Sequence, residues 1–228
     1  NGSNGNNNNN NMTLKEYVNQ KGKNSNGNEC TPIEAAARNG HFKIVHYLIK
    51  HGTNAADNTP LVCACEKGRF EDVKLLITGR NNDVNGSNGN NNNNMTLKEY
   101  VNQVGKDSYG NERTPLMKAA REEHFQIVKY LIEQCEADPN IADSDGWNAL
   151  HFAASYNKKN TKVIELLLTN MPLNSINKKD SDGYTPLDWA YINNSPIEQK
   201  IIDLIRSKGG KAPKQEEKER AEREANGG

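Results

Sequence analysis

Near the middle of the chain, apolar residues recur at helical spacing. Leu116, Ala119 and Ala120 stand at i, i+3 and i+4, and Ile127, Val128, Leu131 and Ile132 follow as a second stripe. The spacing predicts two short amphipathic helices in succession. The same pair of stripes returns along the chain, opened each time by a similar signal: Thr31-Pro32, Thr59-Pro60, Thr114-Pro115 and Thr185-Pro186, with Asn148-Ala149 in the equivalent place. A threonine oxygen caps free N–H groups at a helix start, and proline in the first turn forfeits no hydrogen bond. Neither helix of a pair can bury its stripe alone, so stacking of successive pairs must supply the core.

A longer repeat lies over the short one. The string MTLKEYVNQ at 12–20 recurs unchanged at 95–103, an offset of 83 positions. At the same offset Gly27-Asn28-Glu29-Cys30-Thr31-Pro32 faces Gly110-Asn111-Glu112-Arg113-Thr114-Pro115, and HFKIVHYLI at 41–49 faces HFQIVKYLI at 124–132. One unit has been copied. Within MTLKEYVNQ, Thr13-x-x-Glu16 and Thr96-x-x-Glu99 have the form of capping boxes, with Met12 or Met95 and Tyr17 or Tyr100 placed as hydrophobic staples. Each string predicts a short helix. Leu14, Tyr17 and Val18 make one apolar face, repeated by Leu97, Tyr100 and Val101, and both faces are expected to dock on the stacked pairs. The Asn-Gly-Ser tracts before both strings lack any apolar period and read as linkers, with self-association through them as a lesser alternative.

The pairs themselves carry a family resemblance. From Thr114 to Asn148 is 34 positions and from Asn148 to Thr185 is 37, close to the ankyrin period. TPIEAAARNGHFKIVHYLIKHG (31–52), TPLVCACEKGRFEDVKLLI (59–77), TPLMKAAREEHFQIVKYLI (114–132), NALHFAASYNKKNTKVIELLL (148–168) and TPLDWAYINNSPIEQKIIDLIRSKGG (185–210) all resemble ankyrin repeats. The resemblance implies an all-α solenoid of helix-turn-helix units with β-hairpin-like turns. It divides the chain into an Asn-rich segment (1–11), a short capped helix (12–22), repeats at 23–56 and 57–80, an Asn-rich insertion with a short helix (81–106), repeats at 107–140, 141–178 and 179–210, the last a C-terminal cap, and a charged tail (211–228). Three departures stand out. The second repeat lacks the usual Asp-x-x-Gly turn before Thr59, two extra residues follow Gly27 and Gly110 before Thr-Pro, and Asn157-Lys158-Lys159-Asn160 lengthens the fourth repeat into a bulging loop. In the tail, Glu216 to Arg220 and Glu219 to Arg223 are i, i+4 pairs that favour a solvated helix, and no apolar heptad supports a coiled coil.

Composition narrows the function. Lys and Arg total 29 and Asp and Glu total 29, so no net field favours a polyanion, and a nucleic-acid partner is not expected. The low mean hydropathy of −0.93 reflects 36 asparagines rather than charge, and no apolar run is long enough to span a membrane. Cys30, Cys63, Cys65 and Cys135 are too few and scattered for a disulfide framework, which suits the cytoplasm, or the nucleus. Cys135, set beside Glu136 and Asp138 in an expected inter-repeat loop, would have its thiol pKa raised by the acids. His41, His46 and His51 are spaced by five, off one helix face, and make no metal site. His151 matches the family's structural Thr-Pro-Leu-His histidine. With no nucleophile elbow, phosphate loop or dinucleotide fingerprint, neither catalysis nor a cofactor is expected.

By resemblance, recognition of a partner protein falls to the hairpin tips and the exposed ends of the first helices, along a concave face. Carried over, those positions are Ser108, Tyr109, Asn111, Arg121 and Glu122 in the third repeat, Ser144, Asp145, Trp147, Ser155 and Tyr156 in the fourth, and Ser181, Asp182, Tyr184, Ile192 and Asn193 in the fifth. Arg38, Asn39, Glu66 and Lys67 occupy the matching helix positions of the first two. The groove is therefore expected to be charged at its N-terminal end and aromatic at the other, with Tyr109, Trp147 and Tyr184 at one shared repeat position. Phe152 and Trp189, one place before the alanines, are expected between repeats. The function so implied is that of a monomeric adaptor or scaffold. The alternative is a regulatory or substrate-recruiting segment of a larger enzyme.

Overall fold

A computed structural model describes residues 13–23, 29–51, 53, 58–79, 95–193 and 196–226. The expectations for Met12, for the Asn-rich tracts at 1–11 and 81–94, and for the hairpin tips at 24–28 and 54–57 lie outside these residues.

The expected helix pairs are present: α2 (Pro32–Arg38) with α3 (Phe42–Lys50), α4 (Thr59–Glu66) with α5 (Phe70–Gly79), α7 (Pro115–Arg121) with α8 (Phe125–Cys135), α9 (Ala149–Tyr156) with α10 (Lys162–Asn170), and α12 (Pro186–Ile192) with α13 (Glu198–Ser207). Among the described residues, four further helices stand outside the pairs: α1 (Leu14–Asn19), α6 (Leu97–Asn102), α11 (Leu173–Ile176) and α14 (Pro213–Asn226). Strands among the described residues are confined to two antiparallel hairpins, β1 (Gly22–Lys23) with β2 (Glu29–Cys30) and β3 (Gly105–Lys106) with β4 (Glu112–Arg113). An isolated bridge, Ala142 to Asn148, marks the corresponding turn before α9.

The first helices of the pairs stack in order, α2 on α4, α4 on α7, α7 on α9 and α9 on α12, and the second helices form a parallel row. Alanine makes the close approach possible, for Ala37, Ala64, Ala119, Ala120, Ala153, Ala154 and Ala190 are all buried. The longer apolar residues of the second helices, among them Val45, Val73, Val128, Leu131, Leu167 and Ile201, complete one continuous core.

The start signals act as expected in four pairs. The hydroxyls of Thr31, Thr114 and Thr185 accept the N–H groups of Glu34, Met117 and Asp188, and Asn148 Oδ1 accepts those of Leu150 and His151. The second pair differs. Asn58 rather than Thr59 is the cap of α4 and makes no side-chain cap bond, its Nδ2 donating instead to the Gln103 carbonyl at 2.7 Å, while the Thr59 hydroxyl accepts the Lys106 N–H of β3 at 2.9 Å. Tertiary contact takes the oxygen that local geometry would have used.

Both MTLKEYVNQ strings fold as capped helices with complete capping boxes at Thr13 and Thr96. Docking, expected of both, goes further in the second, although Leu97 stays 37% exposed. Tyr100 and Val101 are buried, with Met95 packed on the same core, whereas Leu14 and Tyr17 are exposed and Val18 alone is buried. The reason is that α6 lies against α7 and α8, pinned where Asn102 Nδ2 donates to the Glu136 carbonyl at 3.2 Å and Asn102 Oδ1 accepts the Asp138 N–H at 2.7 Å.

Two other expectations are corrected. Cys135 is the last residue of α8, not a loop residue, and burial rather than its acidic neighbours pushes its thiol pKa up. The tail is not wholly solvated: Ala212 is buried and the Gln215 N–H donates to Asp188 Oδ1 at 3.0 Å, so α14 begins by packing on α12 before running into solvent.

The bulging loop after α9 is held from the neighbouring pair. Glu123 takes the left-handed conformation, φ 59, that Gly40 and Gly68 take at the same place in earlier repeats. From there its carboxylate accepts the N–H groups of Lys158 at 2.6 Å, Lys159 at 3.1 Å and Asn160 at 3.3 Å.

Candidate partner-binding groove

Each described turn between helix pairs is organised by one aspartate. Asp107 Oδ1 accepts the N–H groups of Tyr109 and Asn111, both at 2.9 Å. Asp143 Oδ1 accepts those of Asp145 and Trp147 at 2.9 and 2.8 Å, and Asp180 Oδ1 those of Asp182 and Tyr184 at 3.0 and 2.9 Å. The short carboxylate mimics a backbone acceptor, and a glycine with positive φ, Gly110, Gly146 or Gly183, closes each turn. Adjacent tips are tied together where the Ser181 N–H donates to the Asp145 carbonyl at 2.9 Å.

These bonds set the register of the tips. Asn111 corresponds to Trp147 and Tyr184, and Tyr109 corresponds to Asp145 and Asp182. The expectation that Tyr109, Trp147 and Tyr184 share one position is thereby overturned. In the third turn two more residues, Glu112 and Arg113, pair as β4 with β3 and lift the tip away from the helix start. Tyr109 is accordingly 79% exposed, while Trp147 and Tyr184 are half-buried.

The second oxygen of two of the three aspartates reaches the residue just before the helix alanines. Asp107 Oδ2 accepts from Lys118 Nζ at 3.2 Å and Asp180 Oδ2 from Trp189 Nε1 at 2.8 Å. Phe152 has no donor to offer, so Asp143 Oδ2 lies instead 3.2 Å from Arg113 Nη1. Burial raises the Asp143 pKa, and the Trp147 N–H and the Arg113 charge only partly counter it.

Between the tips and the first helices runs a ribbon of rings with a cation at each end. The Arg121 guanidinium lies 4.4 Å from the Tyr156 ring centroid, and the Trp147 ring lies 6.4 Å from Tyr156 and 4.6 Å from Trp189. Trp189 in turn lies 5.4 Å from Tyr184, over which Lys214 Nζ sits at 5.9 Å. Phe152 backs the ribbon from beneath, buried 5.1 Å from Trp147, with the Arg113 guanidinium at 5.3 Å on its ring. Of the residues named from the sequence, Arg121, Trp147, Tyr156 and Tyr184 come together here. Tyr109 stands apart, with Lys118 Nζ 6.0 Å from its ring.

The remaining named residues are occupied or peripheral. Asn111 donates to Asp107, Glu122 Oε1 accepts from Arg121 at 2.6 Å, and Asp145 lies at 3.9 Å from Arg113 Nη2. Asp182 is exposed and Ser155 half-buried. Asn193 is structural, donating to the Ala154 and Asn157 carbonyls at 2.9 and 3.1 Å. The charged N-terminal end is partly neutralised, because Glu66 turns inward to pair with Lys118 at 2.7 Å and to accept from the Ser108 hydroxyl. Trp189, Lys214 and Arg113 were missed as groove residues. The recurrent place before the alanines was the signal for Trp189, and the place just before the helix start, shared with Trp147 and Tyr184, was the signal for Arg113. None existed for Lys214, which arrives from the tail.

His151 orders its repeat as the resemblance implied. Nδ1 lies 2.8 Å from Asn148 Oδ1 and Nε2 lies 3.4 Å from the Tyr184 carbonyl, and burial pushes the imidazole pKa down to about 4. All four cysteines are buried, and burial raises the Cys63 thiol to about 12 and Cys65 well above its ordinary value. Among the described residues no group of His, Cys, Asp or Glu has the arrangement of a metal site, and no helix is long and apolar enough to cross a membrane.

A solenoid of stacked helix pairs with aspartate-anchored turns defines a repeat protein, and comparison with known families agrees. The family model for ankyrin repeats matches three times, at residues 5–88, 86–172 and 135–215, and the chain belongs to that family. Ankyrin repeats are a general protein–protein interaction module and are themselves non-catalytic. Among relatives, the chain is 28% identical over 201 residues to alpha-latrotoxin-Lg1a of Latrodectus geometricus, covering 80% of this chain and 14% of that protein. It is 28% identical over 157 residues to the ankyrin repeat and KH domain-containing protein mask-1 of Caenorhabditis elegans, covering 61% and 6%. It is 29% identical over 155 residues to alpha-latrocrustotoxin-Lt1a of Latrodectus tredecimguttatus, covering 64% and 9%. The chain thus spans a small part of the curated relatives it matches.

Proposed function

We propose that these residues form the recognition surface of an adaptor or scaffold that grips one partner protein along the concave side of the stack. The observation that carries this reading is the ring ribbon Tyr156, Trp147, Trp189 and Tyr184, flanked by Arg121 and Lys214. Aromatic and arginine side chains on a rigid base give large contact area at small loss of conformational freedom, which is the character of binding hot spots. Tyr109, Asn111, Glu122, Asp145, Ser155 and Asp182 form the polar and tip-borne rim. The repeats are taken with the boundaries set out above, 23–56, 57–80, 107–140, 141–178 and 179–210. The four unpaired, buried thiols suit the cytoplasm or nucleus, and balanced charge suits a protein rather than a nucleic-acid partner. A second reading, a recruiting segment of a larger enzyme, draws support from the small share of its relatives' length that the chain spans.

Affinity capture tests the first reading. The chain is compared with Tyr109→Ala/Arg121→Ala/Tyr156→Ala, in which Tyr109 and Tyr156 are exposed and Arg121 half-buried, and which leaves Trp147 and Trp189 in place. A protein retained by the parent and lost by the equally folded variant is the expected result. Equal retention removes Tyr109 and the Arg121–Tyr156 end of the groove from the recognition surface.

A further inference from the structure

The two copies of the 83-residue unit place matching residues in different surroundings. In the second copy the unit sits behind α4 and α5. Tyr130 meets Phe70 edge to face at 5.6 Å, His124 Nε2 lies 3.1 Å from the Glu66 carbonyl oxygen, and Asn58 Nδ2 donates to the Gln103 carbonyl at 2.7 Å. Gly105 is pressed against the Asn58–Thr59 peptide, where a Cβ would approach to 2.5 Å. At the same offset in the first copy stand Tyr47, His41, Gln20 and Gly22, all exposed, and a Cβ on Gly22 would meet nothing within 4 Å. Ile44 is 50% exposed against 2% for its counterpart Ile127, and Tyr17 is 66% exposed against 1% for Tyr100. An apolar face that is an interior interface in one copy is bare in the other.

We infer that this N-terminal face seats a further helix pair of the α4–α5 kind, carried by the same polypeptide ahead of Asn1. Three observations choose that occupant. The first is the linker: the Asn-Gly-Ser-Asn-Gly tract with its run of asparagines that joins α5 to α6 in sequence also stands before α1. The second is the opposite end of the stack. There the start of α14 lies on α12, with the Thr185 hydroxyl donating to the Lys211 carbonyl at 2.6 Å, so a second copy stacking head to tail meets an end that the tail already occupies in part. The third is chemistry. The bare face repeats the tyrosine, histidine and glycine that receive Phe70, the Glu66 carbonyl and the Asn58–Thr59 peptide, but Ala35 stands where Lys118 receives the Glu66 carboxylate. The occupant therefore opens with an Asn-Thr or similar cap, carries an aromatic residue at the start of its second helix, and has no acid at the place of Glu66.

Two measurements test this. The transcript is read upstream of the Asn1 codon, where such a pair is expected within about 40 residues, one repeat plus a linker. An initiator methionine adjoining Asn1, or upstream residues without the pair, overturns the inference. The 228-residue chain and the naturally extended chain are then nitrated and mapped by peptide mass spectrometry. Protection of Tyr17 and Tyr47 in the extended chain alone, with Tyr109 equally reactive in both, is expected. Tyr47→Glu is expected to lower the melting temperature of the extended chain by about 5 °C and that of the shorter chain by far less. Equal nitration of Tyr17 and Tyr47 in both chains, or an equal effect of Tyr47→Glu, overturns the assignment.

Discussion

The ammonium group of Lys118, 2% exposed, lies 2.7 Å from Glu66 across the boundary between the second and third helix pairs and 3.2 Å from Asp107 in its own turn. One cation thus compensates two carboxylates inside the stack. Burial raises the Glu66 pKa, but the hydrogen bonds from Lys118 and Ser108 outweigh it and hold the carboxyl below its ordinary value, and Asp107 is lowered in the same way by Asn111 and Lys118. Replacing Lys118 by Met leaves both carboxylates buried without a counter-charge. The expected cost is about 3–5 kcal/mol, read from urea unfolding at pH 7. Because depressed carboxyl pKa values lend stability above the unfolded pKa that is lost as pH falls through the folded one, the cost should shrink below about pH 4. A cost that is unchanged by acid would contradict the ion-pair account.

His151 predicts a second pH dependence, higher on the scale. Its folded pKa of about 4 lies below the ordinary value, so the unfolded chain binds the extra proton first. Stability is full above about pH 6.5 and falls towards pH 4, by at most about 3 kcal/mol. Urea midpoints between pH 7 and pH 4.5 measure it, and His151→Gln should flatten that slope while lowering stability at pH 7.

Glu123 sets a backbone penalty against three accepted N–H groups. Glu123→Gly relieves a left-handed conformation, a gain of about 1 kcal/mol, and forfeits bonds of similar total value, so global stability should change little. The loop after α9 should respond sharply. Hydrogen exchange at Lys158, Lys159 and Asn160, and tryptic cleavage after the two lysines, are expected to quicken. Unchanged exchange would mean that the carboxylate does not hold the loop.

The ring ribbon separates binding from folding. Trp147 touches Phe152, Trp189 and Tyr156, so Trp147→Ala should cost about 2 kcal/mol. Tyr156, 42% exposed, should cost under about 1 kcal/mol when truncated. Paired melting curves check this, and equal losses would place Tyr156 in the core.

The helix pairs were legible because their signals are local. Thr31, Thr114, Asn148 and Thr185 each cap a helix with a hydrogen bond spanning at most three residues. The failure at Thr59 came from outside that range, where Lys106, 47 positions away, takes the hydroxyl. The turn register was misread for a related reason. Counting back from the helix starts puts Arg113 beside Trp147 and Tyr184, whereas counting on from the turn aspartates puts Asn111 there. Neither count reaches Tyr109, and the two differ because the third turn carries the extra strand residues that only the paired hairpin reveals.

The string MTLKEYVNQ shows where the division falls. Twice it forms the same helix with the same capping box, because the bonds that start the helix run between residues three apart and travel with the sequence. Yet Tyr100 is buried and Tyr17 is not. Local structure came from the order of residues, whereas burial depended on which surfaces lay alongside, and identical sequence carries no record of its neighbours.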